Sequence, residues 1–179
     1  LVGSEMCIRD SLLNGAIRRM YTSRNFYPDA NSTMRLSFGT VCGYTPFDGA
    51  EYDYYTTTKG VLEKVKAHVG DVDFAVQPEI LSLLSSGNFG RYADEKGEMK
   101  VCFISNNDIT GGNSGSAMFN SKGELLGLAF DGNWEAMGSD ILYEPKMQRT
   151  IGVDVRYILF MIEKYGKAGN LIQELNILN

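Results

Sequence analysis

A serine between glycines is the residue of this sequence best suited to chemistry. It lies in DITGGNSGSAMF, which runs from Asp108 to Phe119. A serine that attacks an acyl group needs an exposed hydroxyl, a base to take its proton and hydrogen-bond donors for the oxyanion. The glycines beside Ser114 permit a tight turn, and the backbone N–H groups of Gly112 and Ser114 could point into one hollow. A glycine-rich turn with a solvated serine is the alternative interpretation.

The base that Ser114 would need is missing from its neighbourhood in the sequence. His68 is the single histidine of the chain and stands at the end of a predicted helix. We interpret it as a surface or helix-end histidine, not as the catalytic base. Asp108 lies too close to Ser114 in sequence to orient a histidine, and it is interpreted as a residue that caps a turn.

Three stretches carry the strand patterns that must hold this loop. MRLSFGTVCGY (34–44) alternates apolar and polar residues, which predicts a strand with a bulge or tight bend at Gly39. MKVCFIS (99–105) has the composition of a buried strand. SAMFNSKGELLGLAF (116–130) is typical of a β-hairpin, since two apolar runs flank the turn residues NSKG.

Helices are predicted on either side of these strands. The segments are Asn14–Arg24, 56–68, 77–86 and 170–178, and residues 150–166 begin as a strand and become a helix. Pro78 suits a first helical turn, and Gly87 suits a helix end. The order of elements is not that of βαβ units, which disfavours a parallel sheet. The predicted fold class is mainly β with peripheral helices, and a C-terminal helix packs against the β-domain.

The composition is that of a folded domain. The chain has 179 residues, 44% of them apolar, and a net charge of -5. The acidic balance argues against nucleic acid or an anionic membrane as the main partner, and no apolar run is long enough for a membrane span. No spacing of cysteine and histidine suggests a metal, and no cofactor is expected. Cys42 and Cys102 lie in apolar stretches as buried thiols, and a disulfide between them is possible but not favoured.

The first residues have a different character. LVGSEMCIRDS, Leu1 to Ser11, has no apolar period and resembles translated sequencing-adapter sequence. We expect residues 1–11 to be such an artefact and exclude them from the functional interpretation. A genuine helical lead-in is the alternative.

Longer strings resemble one family. GNSGS resembles the serine loop of trypsin-like peptidases that have Asn before the nucleophile. The wider sequence resembles bacterial serine dipeptidyl-peptidases that have a chymotrypsin-like double barrel and an inserted helical domain. The strings, in the family's order from Asn25 to Tyr165, are NFYPDANSTMRLSFG, FGRYAD, TGGNSGS, GLAFDGNWE and QRTIGVDVRYILFMIEKY.

The resemblance implies a domain organisation. Residues 12–30 would be the end of the helical insertion, and residues 31–179 would be the C-terminal half of the double barrel with its C-terminal helix. In trypsin-like chains the catalytic His and Asp precede Ser. We therefore expect both to lie upstream of this chain, and the isolated 179 residues to be inactive or nearly so.

The resemblance also implies roles for four residues. Ser114 would be the nucleophile, and Gly112 and Ser114 would supply the oxyanion amides. Asp131 would bind the free N-terminal ammonium of the peptide, although Asp-Gly is also a turn signal in its own right. Gly132 stands where the acid-specific branch, dipeptidyl-peptidase eleven, has arginine. Its lack of a side chain implies a P1 pocket for hydrophobic residues, as in the dipeptidyl-peptidase seven branch. One departure is Ala117, where the family usually has proline, which affects loop rigidity more than chemistry.

Further expectations follow from the resemblance alone. The partners would be peptides with a free N-terminus, the full-length protein would be a homodimer, and its location would be the periplasm of a Gram-negative bacterium or the medium. Two alternatives remain open. One is a trypsin-like endopeptidase of the glutamyl or heat-shock type, and the other is a trypsin-like barrel that lost its triad and serves as a binding module.

Overall fold

The structure, a computed structural model, describes residues 2–23, 34–139 and 142–178. The predicted domain boundary after residue 30 lies outside the described residues. Within them, no helix has both the length and the apolar character needed to cross a membrane.

The N-terminal helix α1 spans Val2–Met20. It contains the helix predicted from Asn14 but ends before Arg24, and the N–H of Tyr21 closes its last turn on the carbonyl of Ile17 at 3.0 Å. It also includes residues 2–11. The origin of Leu1 to Ser11 as adapter sequence stays a prediction.

An antiparallel sheet of five strands forms the centre of the molecule. Its strand order is β3-β4-β7-β6-β5. The strands are β3 (Tyr55–Thr57), β4 (Lys100–Ser105), β5 (Ala117–Phe119), β6 (Leu125–Gly132) and β7 (Thr150–Asp154). The predicted β5–β6 hairpin is present, with Gly123 at φ +79° in its turn. The predicted fold class, mainly β with helices at the periphery, is confirmed.

A second, two-stranded sheet precedes the main one. Strands β1 (Tyr44–Phe47) and β2 (Ala50–Tyr52) form a hairpin in which the rings of Tyr44 and Tyr52 meet edge to face at 5.3 Å. The chain reverses at Gly49, whose φ of +83° lies in the region that glycine adopts without strain. No pattern in the sequence distinguishes this hairpin from a loop.

The strand predicted over residues 34–44 is wrong for most of its length. Residues 34–43 form only one isolated bridge, between Val41 and Ser105, before β1 begins at Tyr44. The alternation of apolar residues is real, but a strand needs a partner along its length. Met34, Leu36 and Phe38 point into solvent here. We call residues 34–43 the strap, because this segment lies along the loop that follows β4.

The remaining helices pack together and form what we call the helical side of the molecule. They are α2 (Thr58–Ala67), α3 (Pro78–Ser85), α4 (Val155–Phe160), a π-helical turn (Met161–Tyr165) and α5 (Gly169–Gln173). Pro78 does occupy the first turn of α3, and Gly87 has φ +66° just after that helix. The helix predicted over 170–178 is shorter than expected, because α5 ends at Gln173.

The hydrophobic core lies among these helices. Helix α4 contacts β4, β6 and β7 and so joins the core to the sheet. The buried cluster consists of Leu84, Phe89, Tyr92, Met99, Leu159, Phe160 and Ile172. Burying large apolar side chains of this kind stabilises a fold by roughly 1.5–3 kcal/mol each. The helical side is therefore where most of the apolar stabilisation of the described residues resides.

Candidate functional site

A cavity of about 220 Å³ opens between the loop that carries Ser114 and the end of β6. Its walls come from two segments that are distant in sequence. The lining residues are Ile109, Thr110, Gly111, Ser114, Phe130, Asp131, Gly132, Asn133, Ala136, Met137 and Ser139. Three predicted site residues, Ser114, Asp131 and Gly132, thus share one cavity, and Gly112 lies in the same loop as Ser114.

The serine loop is a pair of tight turns. The N–H of Asn113 donates to the carbonyl of Thr110 at 3.2 Å, and the N–H of Ser116 donates to the carbonyl of Asn113 at 2.9 Å. Gly112 has φ +94° and Gly115 has φ +83°, conformations in which a side chain would strain the backbone. The two glycines are therefore required by the shape of the loop itself.

Strand β6 holds the loop in register. The N–H of Gly115 donates to Ala129 O at 2.7 Å, and the N–H of Ala129 donates to Ser116 O at 2.8 Å. These bonds extend the β5–β6 ladder past the first residue of β5. The exposed hydroxyl of Ser114 donates to Phe130 O at 3.3 Å, a long bond that an incoming group can replace.

Two amides of the loop are available to a ligand. Within residues 2–23, 34–139 and 142–178, the backbone N–H groups of Gly112 and Ser114 donate to no protein acceptor, whereas the N–H of Asn113 between them does. Both residues are exposed, so these N–H groups are accessible from solvent. Free N–H groups beside a serine hydroxyl are the groups that an oxyanion requires.

A bulge in β6 shapes the opposite wall. Ala129 opposes Gly152 and Asp131 opposes Ile151, so β6 has one extra residue, Phe130, that has no partner in β7. Bulges of this kind redirect side chains next to functional sites. Here the bulge leaves the Phe130 carbonyl facing Ser114 and the exposed Asp131 carboxylate at the cavity.

The Asp131 carboxylate is hydrogen-bonded to the backbone of the next residue. Its Oδ1 accepts a hydrogen bond from the N–H of Gly132 at 2.8 Å. In the part of the chain that the structure describes, no lysine or arginine forms an ion pair with it. A carboxylate in this state can accept a charged donor from a ligand, and charge-assisted hydrogen bonds are stronger than neutral ones.

Gly132 allows the cavity wall to close tightly. A Cβ at this position would lie 2.9 Å from the Cβ of Ala136, closer than real side chains approach each other. Ala136 belongs to a 3-10 helix, Trp134–Gly138, that packs across the end of β6. Any larger residue at position 132 therefore has to move this short helix.

A buried arginine supports this wall, and no motif in the sequence indicates its role. Arg149 is 5% exposed, and its guanidinium donates to the carbonyls of Cys42, Gly43, Pro145 and Gln148 at 2.8–3.3 Å. It also lies over the ring of Tyr44 at 5.3 Å.

Asn133 connects this arginine to the cavity. The side chain of Asn133 accepts from the Arg149 N–H at 2.8 Å, and its backbone N–H donates to Arg149 O at 2.9 Å. Its amide also donates to Glu135, which accepts a bond from the Tyr44 hydroxyl at 3.0 Å. Burial and the nearby Glu135 carboxylate raise the pKa of Tyr44, so the hydroxyl keeps its proton at neutral pH.

His68 lies elsewhere, as the sequence predicted. It follows the last residue of α2, its ring stacks on Phe74 with centroids 4.0 Å apart, and its Nδ1 lies 3.0 Å from Lys64 O. It does not line the cavity. Asp108 lies in the loop between β4 and the serine turn. Cys42 and Cys102 are free thiols, and burial raises the pKa of Cys102.

A second arginine reaches the serine loop from the strap. One guanidinium nitrogen of Arg35 donates to Thr110 Oγ1 at 2.7 Å and to Asn113 Oδ1 at 3.1 Å. No local pattern announces this contact, since 75 residues separate Arg35 from Thr110.

A serine in a glycine-rich loop, with free amides and a cavity beside it, offers a hydroxyl and oxyanion donors, two of the three groups that acyl transfer at a serine needs. The chain belongs to the Peptidase S46 family, whose sequence profile matches residues 3–177.

Curated relatives in this family carry dipeptidyl-peptidase names. The chain is 56% identical to "Dipeptidyl-peptidase 7" of Porphyromonas gingivalis, over 93% of this chain and 23% of that protein. It is 58% identical to the protein of the same name from Porphyromonas endodontalis, over 90% and 19%. It is 45% identical to the "Asp/Glu-specific dipeptidyl-peptidase" of Capnocytophaga gingivalis, over 87% and 22%. The chain thus spans about a fifth of the length of these relatives.

A solved structure has a similar fold over most of this chain. The crystal structure of Porphyromonas endodontalis DPP11 in complex with the dipeptide Arg-Glu superposes with a TM-score of 0.79 at 41% identity. The match covers 89% of this chain and 23% of that one. The predicted relation to one part of a larger peptidase fold is confirmed.

Proposed function

We propose that the protein containing this chain is a serine dipeptidyl-peptidase, which removes dipeptides from the free N-terminus of peptides. The observation that carries the proposal is the shared cavity of Ser114 and Asp131, which places a serine hydroxyl and a carboxylate in the lining of the same site. The names of the curated relatives support the reaction class.

The proposed chemistry is acyl transfer through Ser114. The second residue of the peptide is called P1. The Oγ of Ser114 attacks the carbonyl carbon of P1, while a base removes the hydroxyl proton. The carbonyl oxygen becomes an anion, which the N–H groups of Gly112 and Ser114 stabilise. The C–N bond then breaks, the amine leaves with the proton, and water hydrolyses the acyl-enzyme. Because His68 is engaged elsewhere, the proposal requires a base from outside these 179 residues.

Asp131 is proposed to fix the length of the product. An ammonium group bound to this carboxylate holds the first residue at one end of the cavity, so that the second carbonyl reaches Ser114. An N-acetylated peptide has no positive charge to offer. It should therefore bind poorly, and this separates a dipeptidyl-peptidase from a trypsin-like endopeptidase.

We propose a hydrophobic P1 residue. Ile109, Phe130, Ala136 and Met137 supply apolar surface, Gly132 has no side chain, and none of the described residues that line the cavity is Lys or Arg. An acidic P1 side chain would lose water without gaining a partner, which is costly. In further support, relatives named Dipeptidyl-peptidase 7 are 49–58% identical to the chain, and Asp/Glu-specific ones 41–46%.

Assembly and location are proposed from the resemblance of the sequence alone. The intact protein would be a homodimer, in the periplasm of a Gram-negative bacterium or outside the cell. Sedimentation of the purified gene product tests the first statement. Fractionation of the native host tests the second.

The experiment for the reaction is steady-state kinetics of the complete gene product that carries these residues. Four fluorogenic dipeptides with P1 Leu, Phe, Asp or Glu are compared, each with a free and with an acetylated N-terminus. We expect dipeptide release with Leu and Phe, at least about tenfold weaker with Asp and Glu, and almost none after acetylation. Equal cleavage of acetylated substrates would exclude the proposed reaction, and preference for acidic P1 would exclude the proposed pocket.

A further inference from the structure

The strap is tied to the loop after β4 at its C-terminal end. The N–H of Cys42 donates to Ile104 O at 3.2 Å, and the N–H of Asn106 donates to Thr40 O at 3.0 Å. The Asn106 side chain returns a bond from the N–H of Thr40 at 2.6 Å. These contacts fix the strap beside the loop and thereby determine where its other end, at Arg35, can reach.

Close approach at Gly39 makes this placement specific. A Cβ there would come within 2.7 Å of the Asn107 nitrogen and 2.5 Å of the Asn106 side-chain oxygen. Only glycine lets the two backbones run this close without displacement. The guanidinium of Arg35 is consequently held over the first turn of the serine loop.

Arg35 and Asn113 together control the orientation of the turn. Asn113 Oδ1 accepts two hydrogen bonds, from the N–H of Thr110 at 3.0 Å and from Arg35 at 3.1 Å. The same guanidinium nitrogen binds Thr110 Oγ1 at 2.7 Å. Both ends of the turn that precedes Ser114 are therefore joined to one charged donor, and such bonds are about twice as strong as neutral ones.

This turn sets the direction of the two available amides. The N–H groups of Gly112 and Ser114 lie on either side of Asn113, so a rotation of Asn113 would move both. Hydrogen-bond donors that are already oriented need no reorganisation during the reaction, which is the main reason that an oxyanion site is effective. Hydrogen bonds that fix Asn113 would thus act on the rate of the chemical step more than on substrate affinity.

We propose that Arg35 is a positioning residue, which orients the amides of Gly112 and Ser114 for an oxyanion by binding Thr110 and Asn113. The inference rests on the proposed acyl transfer at Ser114. Arg35 itself contacts no substrate and takes no proton; it acts through the loop.

The test uses Arg35→Gln and Arg35→Lys in the complete gene product, with Arg91→Gln as matched control. Arg91 is a half-exposed arginine, 3.9 Å from Glu163, on the helical side. With kcat expressed per titrated active site, Arg35→Gln should lower kcat about 10- to 100-fold and change KM less than about twofold. A dipeptidyl boronic acid, which mimics the oxyanion, should lose affinity by the same factor. Arg35→Lys should recover part of both, and Arg91→Gln should alter neither.

Two outcomes would overturn the proposal. One is a lower melting temperature for Arg35→Gln with kcat per active site unchanged, which would leave Arg35 a purely structural residue. The other comes from amide hydrogen exchange, which needs no activity. The N–H groups of Thr110 and Asn113 should exchange at least about tenfold faster in Arg35→Gln than in the parent or Arg91→Gln. Unchanged exchange would refute the proposal that Arg35 fixes the loop.

A parent protein that releases no dipeptide would refute the proposed function. Amide exchange would still decide the role of Arg35.

Discussion

Around the core, Phe160 is 1% exposed and meets Phe89 and Tyr92 edge to face, whereas at the cavity Phe130 is 59% exposed. The same residue type is thus buried among helices in one region and presented to solvent in the other. Trp134 and Met137, beside the cavity, are also strongly exposed. Apolar packing holds the first region, and a different set of interactions must hold the second.

In the second region those interactions are backbone conformation and hydrogen bonds. Glycines with positive φ shape the serine loop, Arg35 binds it from the strap, and Arg149 supports the wall formed by Asn133. Few of these contacts bury apolar surface. Stability and function should therefore be separable by substitution, and each prediction below tests that separation.

The largest effect should follow removal of the proposed nucleophile. Ser114→Ala in the complete gene product should reduce kcat by at least about a thousandfold, because no acyl-enzyme can form. The melting temperature should stay within about 2 °C, since the Ser114 side chain makes only one long hydrogen bond. Ser121→Ala, in the turn of the β5–β6 hairpin, is the control and should leave activity intact. Residual turnover close to that of the parent would remove Ser114 from the mechanism.

Truncation in the core should act on folding instead. Phe160→Ala should lower the free energy of unfolding by about 3–5 kcal/mol, because it leaves a cavity among Phe89, Tyr92 and their neighbours. Phe130→Ala, at an exposed position, should cost less than about 1 kcal/mol. Urea denaturation followed by circular dichroism measures both. Equal losses would contradict the contrast between the two regions.

Neutralising the proposed anchor should affect binding of peptides. Asp131→Asn keeps the shape of the side chain but removes its charge, and should lower kcat/KM about 10- to 100-fold for substrates with a free N-terminus. It should have little effect on acetylated substrates, so the preference for a free N-terminus should shrink. If both classes of substrate lost the same factor, Asp131 would have a structural role only.

Charge introduced in the proposed P1 pocket should change the selectivity between substrates. Gly132→Arg should raise the ratio of kcat/KM for P1 Glu over P1 Leu at least about tenfold, because the guanidinium can pair with a carboxylate. Absolute activity should fall, since the new Cβ must displace Ala136. Gly132→Ala is the matched control: it introduces the same Cβ without charge and should leave the ratio unchanged.

The smallest effect concerns acid on the helical side. The Tyr92 hydroxyl donates to Glu163, and this bond, followed by that from Lys164, lowers the pKa of the Glu163 carboxyl. A lowered carboxyl pKa stabilises the fold above the ordinary glutamate range near 4.3, and the gain is lost as pH falls through the lowered pKa. Tyr92→Phe should cost about 1 kcal/mol at pH 7 and less at pH 3. Urea titrations at both pH values measure this, and an equal cost at both would contradict the linkage.

Local signals in the sequence were sufficient for elements that form from their own residues. The β5–β6 hairpin depends on a turn and two short apolar runs, and α3 depends on Pro78 and Gly87, which lie at its two ends. The strand over 34–44 failed because alternation does not reveal whether a partner strand exists. Ser114 was indicated by its glycine-rich motif, whereas Asp131 and Gly132 were indicated only by the resemblance of longer strings to a known family.

The supporting arginines could not be found in that way. Arg149 binds carbonyls of Cys42 and Gly43, and Arg35 binds Thr110 and Asn113, so both act across long sequence separations. A guanidinium in the sequence looks the same whether it is solvated or binds buried carbonyls. Only the fold distinguishes these two cases.

Arg149 has a consequence for behaviour in salt. Its partners are peptide dipoles and an aromatic ring in a site that water scarcely reaches, and mobile ions screen such contacts weakly. Asp131, in contrast, is exposed, and its attraction for an ammonium ion should weaken as ionic strength rises. At high ionic strength the hydrogen bonds of Arg149 that support the cavity should persist. The proposed binding of the peptide N-terminus by Asp131 should weaken.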